Sequence, residues 1–115
     1  MEDTIKPLEL ALFQKREQRD RMNEDIHSIK KAATLDVLEL SKDKDTAKEM
    51  GLTNQAGRDM LLEDRLQEDP EYQRLINAVH GLETNIAMMQ IDLSFEQRKF
   101  KVWYVEQLKI ANGVD

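Results

Sequence analysis

Histidine and glutamate are the side chains of this sequence that are best suited to metal or acid–base chemistry. Glu24 precedes His27 by three residues, the spacing that di-metal helical bundles use on two of their helices. The spacing occurs only once, and His80 follows no glutamate at that distance. We therefore predict that both histidines are structural or surface residues, and we expect no metal site.

Other patterns associated with catalysis or cofactor binding are missing from the sequence. It contains no glycine-rich phosphate loop, no Gly-x-Ser-x-Gly motif and no EF-hand loop. It has no cysteine, which excludes disulfides and thiolate metal ligands. Because no reaction centre is recognisable, we predict that the protein is not an enzyme and uses no cofactor.

Acidic residues concentrate between positions 58 and 71, where six acids stand against two arginines. Spaced acids on a helix imitate the phosphates of a duplex, and such a surface would suit a basic nuclease or defence complex. Acids are also favoured near helix N-termini, so a solvated helix is the alternative interpretation. The residues of the candidate acidic surface are Asp59, Glu63, Asp64 and Glu68.

Basic and aromatic residues alternate near the C-terminal end of the sequence. Such residues together grip single-stranded nucleic acid by charge and stacking. The formal net charge of −6 opposes binding to phosphates, so we expect nucleic acid not to be the main partner. The candidate nucleic-acid contacts are Arg98, Lys99, Lys101 and Tyr104.

Composition and turn residues predict an all-α fold. Charged residues make up 35% of the chain, which has four glycines and two prolines, a profile typical of long helices or a coiled coil. We predict a single helical domain with helix 1 over about 7–44, a connector over 45–53, a short helix over 54–68 and a long helix over 70–111. The sequence shows neither a signal peptide nor a membrane-spanning run, so we expect a cytoplasmic protein.

Turn and capping residues set these boundaries. Thr4 and Pro7 suit the start of helix 1, and Thr53 or Asn54 suits the cap of the short helix. Asp69 followed by proline favours a break before the long helix, although one continuous, kinked helix is the alternative.

The long helix carries a seam whose positions alternate three and four residues apart from residue 72 to residue 110. Ten of these twelve positions are apolar, as in a coiled coil. The residues of this predicted seam include Leu75, Val79, Leu82, Ile86, Met89, Leu93, Phe100 and Trp103. Further apolar residues widen the stripe, so the helix is expected to meet more than one neighbour; these are Ile76, Met88, Ile91, Val102 and Val105.

The long helices have similar predicted lengths, which favours an antiparallel long-helix hairpin with a short extra helix. Two helices bury only one stripe each, so we expect a homodimer that completes a helical bundle through this seam. On this hypothesis Leu82→Asp dissociates the oligomer.

Several segments between residues 52 and 102 resemble small helical proteins of Gram-positive phages and integrative elements, of the recombination-module type. The segments are Leu52-Thr53-Asn54, Arg58, Leu62-Glu63-Asp64-Arg65-Leu66, Glu68-Asp69-Pro70-Glu71-Tyr72 with Leu75, and Glu96-Gln97-Arg98-Lys99-Phe100-Lys101. The resemblance implies a mobile-element origin, with a location in the host cytoplasm. It also implies a role in DNA recombination, or in blocking a host nuclease as Gam-type inhibitors do.

Three functional hypotheses follow from these observations. The first is a non-enzymatic protein that binds another protein, within a DNA recombination or replication assembly. The second is an acidic inhibitor of a host nuclease or defence complex. The third is binding of single-stranded nucleic acid through residues 98–104.

Overall fold

The computed structural model describes residues 2–113, with the side chains of residues 4–113, and this part of the chain is helical with no strand. In chain order the helices are α1 (Glu2–Lys42), α2 (Lys44–Met50), α3 (Gln55–Glu68) and α4 (Pro70–Ala111). The predicted all-α class is confirmed. No helix among residues 2–113 is long and apolar enough to cross a membrane.

The start of α1 differs from the prediction. The helix already includes Thr4, and Pro7 is its sixth residue, so neither marks the boundary. A proline here removes the N–H that would bond to the carbonyl of Asp3, and its fixed φ is compatible with the helix. The helix therefore accommodates Pro7 close to its N-terminus.

The segment predicted as a connector, residues 45–53, contains most of α2, so that prediction is wrong for residues 45–50. Asp43 starts this helix: its carboxylate accepts the Asp45 backbone N–H at 3.2 Å and the Thr46 hydroxyl at 2.8 Å. Seven polar-rich residues are too few to display an apolar period, although one of them, Ala47, is buried.

A tight turn joins α2 to α3. Gly51 adopts the left-handed conformation with φ 72°, and the Leu52 N–H donates to the Ala47 carbonyl at 2.7 Å, as in a Schellman motif. Leu52 is only 1% exposed, and Arg58 Nη1 donates to its carbonyl at 3.1 Å. The turn is thus fixed by backbone, side-chain and apolar contacts together.

Side-chain caps begin both α3 and α4. Asn54, one of the two predicted caps, accepts the Gly57 N–H at 2.8 Å. Asp69 Oδ1 accepts the backbone N–H groups of Glu71 at 2.9 Å and Tyr72 at 3.1 Å. The helix is therefore interrupted between Glu68 and Pro70, which is the break that the sequence favoured.

The chain divides into two compact units, each containing part of α1 and part of α4. The central unit, Asp20–His80, has a core in which Ile26 clusters with Leu75 and Val79. Further along α1, Asp36 lies 3.9 Å from Arg65 of α3. Residue 26 of α1 thus packs near residues 75 and 79, whereas residue 36, further along α1, lies near residue 65. The chain directions are therefore antiparallel.

The terminal unit contains α1 up to Arg19 and α4 from Gly81. Its buried residues are Leu12, Leu82 and Ile86. Lys15 and Arg19 are half-buried at helical spacing from Leu12. This degree of burial fits side chains whose apolar stems cover the core while their charges stay near water.

Candidate interaction surface

Much of the predicted seam of α4 is buried against other residues of the same chain. Its second to fifth positions are at most 7% exposed; they are Leu75, Val79, Leu82 and Ile86. Met89, Leu93 and Phe100 are partly buried, and Trp103 is 43% exposed. Leu75 and Val79 are buried in the central unit and Leu82 and Ile86 in the terminal unit, so an oligomer that keeps this packing has to use another face of the helix.

A second seam lies on the exposed side of α4 in the terminal unit. We call it the outward seam; its positions alternate three and four residues apart and are Met88, Ile91, Phe95, Arg98, Val102, Val105 and Lys109. Each follows a position of the predicted seam by two residues, which is about 200° around a helix. The five apolar members are 48% to 69% exposed.

A groove of about 440 Å³ marks the middle of the outward seam. Phe95, Arg98, Lys99 and Val102 border it, at positions i, i+3, i+4 and i+7. Four residues at that spacing form the hole that receives one side chain of a facing helix in coiled coils. Trp103 and Glu106 extend the groove. The exposed face thus has the shape of a helix-docking surface.

Local contacts order the side chains around this groove. Lys99 Nζ lies 4.5 Å from the centroid of the Phe95 ring, a cation–π contact. The same nitrogen is 3.5 Å from Glu96 Oε1. These contacts hold the Lys99 stem beside the phenylalanine and leave the ring 56% exposed.

The candidate nucleic-acid contacts border two grooves on α4. Arg98 and Lys99 border the groove of the outward seam, and Arg98 also borders a second groove together with Lys101 and Ile5. Tyr104 stacks on Phe100, with ring centroids 6.3 Å apart and an interplanar angle of 20°. Single-stranded binding uses a basic track with free aromatic faces, and the contact with Phe100 occupies one face of the Tyr104 ring.

The four candidate acidic residues are all exposed on α3. Gln55 donates to Asp59 at 2.7 Å and Gln67 to Glu63 at 3.4 Å, both one turn apart along the helix. Further along, a hydrogen bond from Arg74 holds the pKa of Glu71 below its ordinary value. These contacts are local to single helices, and none of them gathers the carboxylates into a site.

The histidines occupy surface positions. Both His27 and His80 are exposed. Among residues 4–113, every buried side chain is apolar, and no three His, Cys, Asp or Glu side chains lie close enough to hold a metal ion.

Comparison with known proteins adds no functional assignment. No protein-family model, curated protein or solved structure matches the chain. The exposed face of α4 is therefore the candidate functional surface. The sequence predicted four members of the outward seam as a widening of the stripe, but not Phe95, Arg98 and Lys109. The outward seam has the same alternating spacing of three and four residues as the predicted seam, but it starts at Met88 and not at Tyr72. A search for this spacing from Met88 would have identified it.

Proposed function

We propose that this protein is non-enzymatic and acts through protein–protein interaction, with the outward seam of α4 as its binding surface. The observation that carries the proposal is the run of five exposed apolar side chains at coiled-coil spacing, with a four-residue hole at its centre. A role in a DNA recombination or replication assembly, which the sequence resemblance implies, forms part of the proposal.

The hydrophobic effect supports this assignment. Full burial of a Val, Ile, Met or Phe side chain is worth about 1.5–3 kcal/mol. Single exposed apolar residues are ordinary, but a contiguous apolar patch with a polar border marks an interaction site. Ile91 and Phe95 lie one turn apart and are 69% and 56% exposed, so a partner that covers them gains several kcal/mol.

The form of the surface indicates the kind of partner. A coiled-coil hole accepts one side chain from a facing helix, and successive holes repeat along the seam. Lys99, Val102, Trp103 and Glu106 have the spacing of a second hole that overlaps the first. An amphipathic helix with apolar residues three and four apart is therefore the complementary ligand.

The polar groups of the chain support a role without catalysis. Catalytic carboxylates and histidines usually gain altered pKa values from burial or from close charged partners. The buried side chains of residues 4–113 are all apolar, and the lowered pKa of Glu71 arises from an exposed ion pair with Arg74.

Photo-crosslinking at two matched positions tests the proposal. Phe95 and Phe13 are 56% and 58% exposed, and both belong to the terminal unit. A benzophenone amino acid is placed at one position or the other, and cells that contain the full chain are irradiated. We expect protein adducts from position 95 and few from position 13. Equal yields at both positions, or none at position 95, would contradict the proposal.

A further inference from the structure

We infer that the helix docked on the outward seam is α4 of a second copy of this chain, running antiparallel about a two-fold axis between Glu96 and Gln97. The inference rests on the proposed function, because it names the partner of the same surface. It follows from the order of apolar and charged residues along the seam.

A parallel, in-register pair of α4 helices is disfavoured by charge. It would place Arg98 against the partner's Arg98 and Lys109 against the partner's Lys109, at positions that face each other across the interface. Like charges brought together in a partly desolvated interface repel each other. Parallel, in-register pairing of the outward seam with its own copy is therefore disfavoured.

The antiparallel pair matches apolar residues with apolar residues. Met88 faces the partner's Val105, and Ile91 faces the partner's Val102. Two-fold symmetry repeats each match, so four apolar layers form. A shift by one heptad in one direction places Met88 opposite the partner's Arg98, and a shift in the other places Ile91 opposite the partner's Lys109. Of these three registers, the proposed one makes the most matches between apolar seam residues, four against two for either shift.

The groove explains the centre of the interface. In this register Phe95 enters the hole bordered by the partner's Phe95, Arg98, Lys99 and Val102. The ring then lies beside the guanidinium of the partner's Arg98, and cation–π attraction compensates for the charge at that seam position. Lys99 already makes such a contact with Phe95 within one chain, at 4.5 Å from the ring centroid.

Charges at the edge of the seam agree with the same direction. Asp92 and Lys99 lie on the same border of the outward seam, one heptad apart. In antiparallel coiled-coil pairing, Asp92 lies next to the partner's Lys99, and symmetry repeats the pair. Such exposed pairs contribute little affinity, but they favour one orientation over another.

Cysteine crosslinking tests the direction of pairing, because the chain has no cysteine of its own. Disulfides form only when the Cα atoms come within about 7 Å. Ile91→Cys and Val102→Cys variants, mixed and oxidised, should give the mixed crosslinked dimer. Ile91→Cys alone should not crosslink, since the two positions would lie about 16 Å apart along an antiparallel pair of helices. Efficient crosslinking of Ile91→Cys alone would overturn the antiparallel arrangement.

Sedimentation velocity tests the presence of the second copy. We expect the unmodified chain to dimerise, Phe95→Glu to raise the dissociation constant by about ten-fold or more, and Phe13→Glu to leave it unchanged. Far-UV circular dichroism should show both variants to be helical. A chain that stays monomeric at all concentrations would overturn the inference. If position 95 then still gives photo-adducts with another protein, the proposed function stands; if it gives none, both fail.

Discussion

At the scale of single residues, two glycines in helices have opposite surroundings. A Cβ atom at Gly81 would meet nothing within 4 Å, so this glycine marks no close contact between helices. A Cβ atom at Gly57 would lie 1.8 Å from the carbonyl oxygen of Gly51. The sequence shows no sign of the constraint at Gly57. That constraint depends on how the turn folds back on α3, which residue types alone do not specify.

Alanine substitutions at these glycines should change stability in opposite directions. Gly81→Ala should raise the free energy of unfolding by about 1 kcal/mol, because alanine is the better helix former and the site is open. Gly57→Ala should lower it by about 2 kcal/mol, because the overlap with a backbone carbonyl forces the turn to shift. Urea denaturation of both variants measures the changes. A stabilised Gly57→Ala variant would show that the turn is not as described.

At the scale of elements, the sequence predicted the caps of α3 and α4 but missed α2, although Asp43 caps that helix too. The Asn54 cap and the Asp69-Pro70 break were predicted because the capping residue and the following helix are adjacent in sequence. The helix α2 was missed because its stability comes from Ala47 and from Leu52 in the turn beyond it. Burial of a residue in a turn depends on tertiary packing, and the local hydrophobic periodicity of the sequence does not predict it.

The position of α2 and its turn depends on Leu52. Leu52→Ala should lower the free energy of unfolding by about 2–5 kcal/mol, because it leaves a cavity at a site that is 1% exposed. Leu35→Ala is the matched control, since Leu35 is 57% exposed on α1. We expect it to change stability by less than about 0.5 kcal/mol. Equal losses for the two variants in urea denaturation would contradict the role given to Leu52.

At the scale of the whole molecule, the predicted seam and the outward seam have different uses. Leu82, which the sequence placed in an oligomer seam, is 7% exposed within its own chain. A charge there should therefore unfold the terminal unit, and any loss of assembly in Leu82→Asp would be secondary. One periodic pattern on a helix does not tell which neighbour it meets. The packing of α1 on α4 determines that the predicted seam is largely buried and that the outward seam is exposed.

The charge of the whole chain leads to a prediction about nucleic acid. With a net charge of −6, the protein should not bind a single-stranded oligonucleotide at physiological salt. Fluorescence anisotropy at about 50 and 200 mM salt provides the measurement. Tight binding that weakens steeply with added salt, and that is lost in Lys101→Ala, would restore residues 98–104 as a binding site.

The most direct test of the central claim is the chemical accessibility of the outward seam in the working assembly. Single-cysteine variants Ile91→Cys and Leu10→Cys replace residues that are 69% and 58% exposed in the terminal unit. Rates of maleimide labelling are compared between dilute purified protein and cells that contain the full chain, with each rate normalised to a small thiol. If the outward seam is the interaction surface, the thiol of Ile91→Cys reacts at least about ten times more slowly in cells, and that of Leu10→Cys keeps its rate. Equal reactivity of the two thiols in cells would contradict the account.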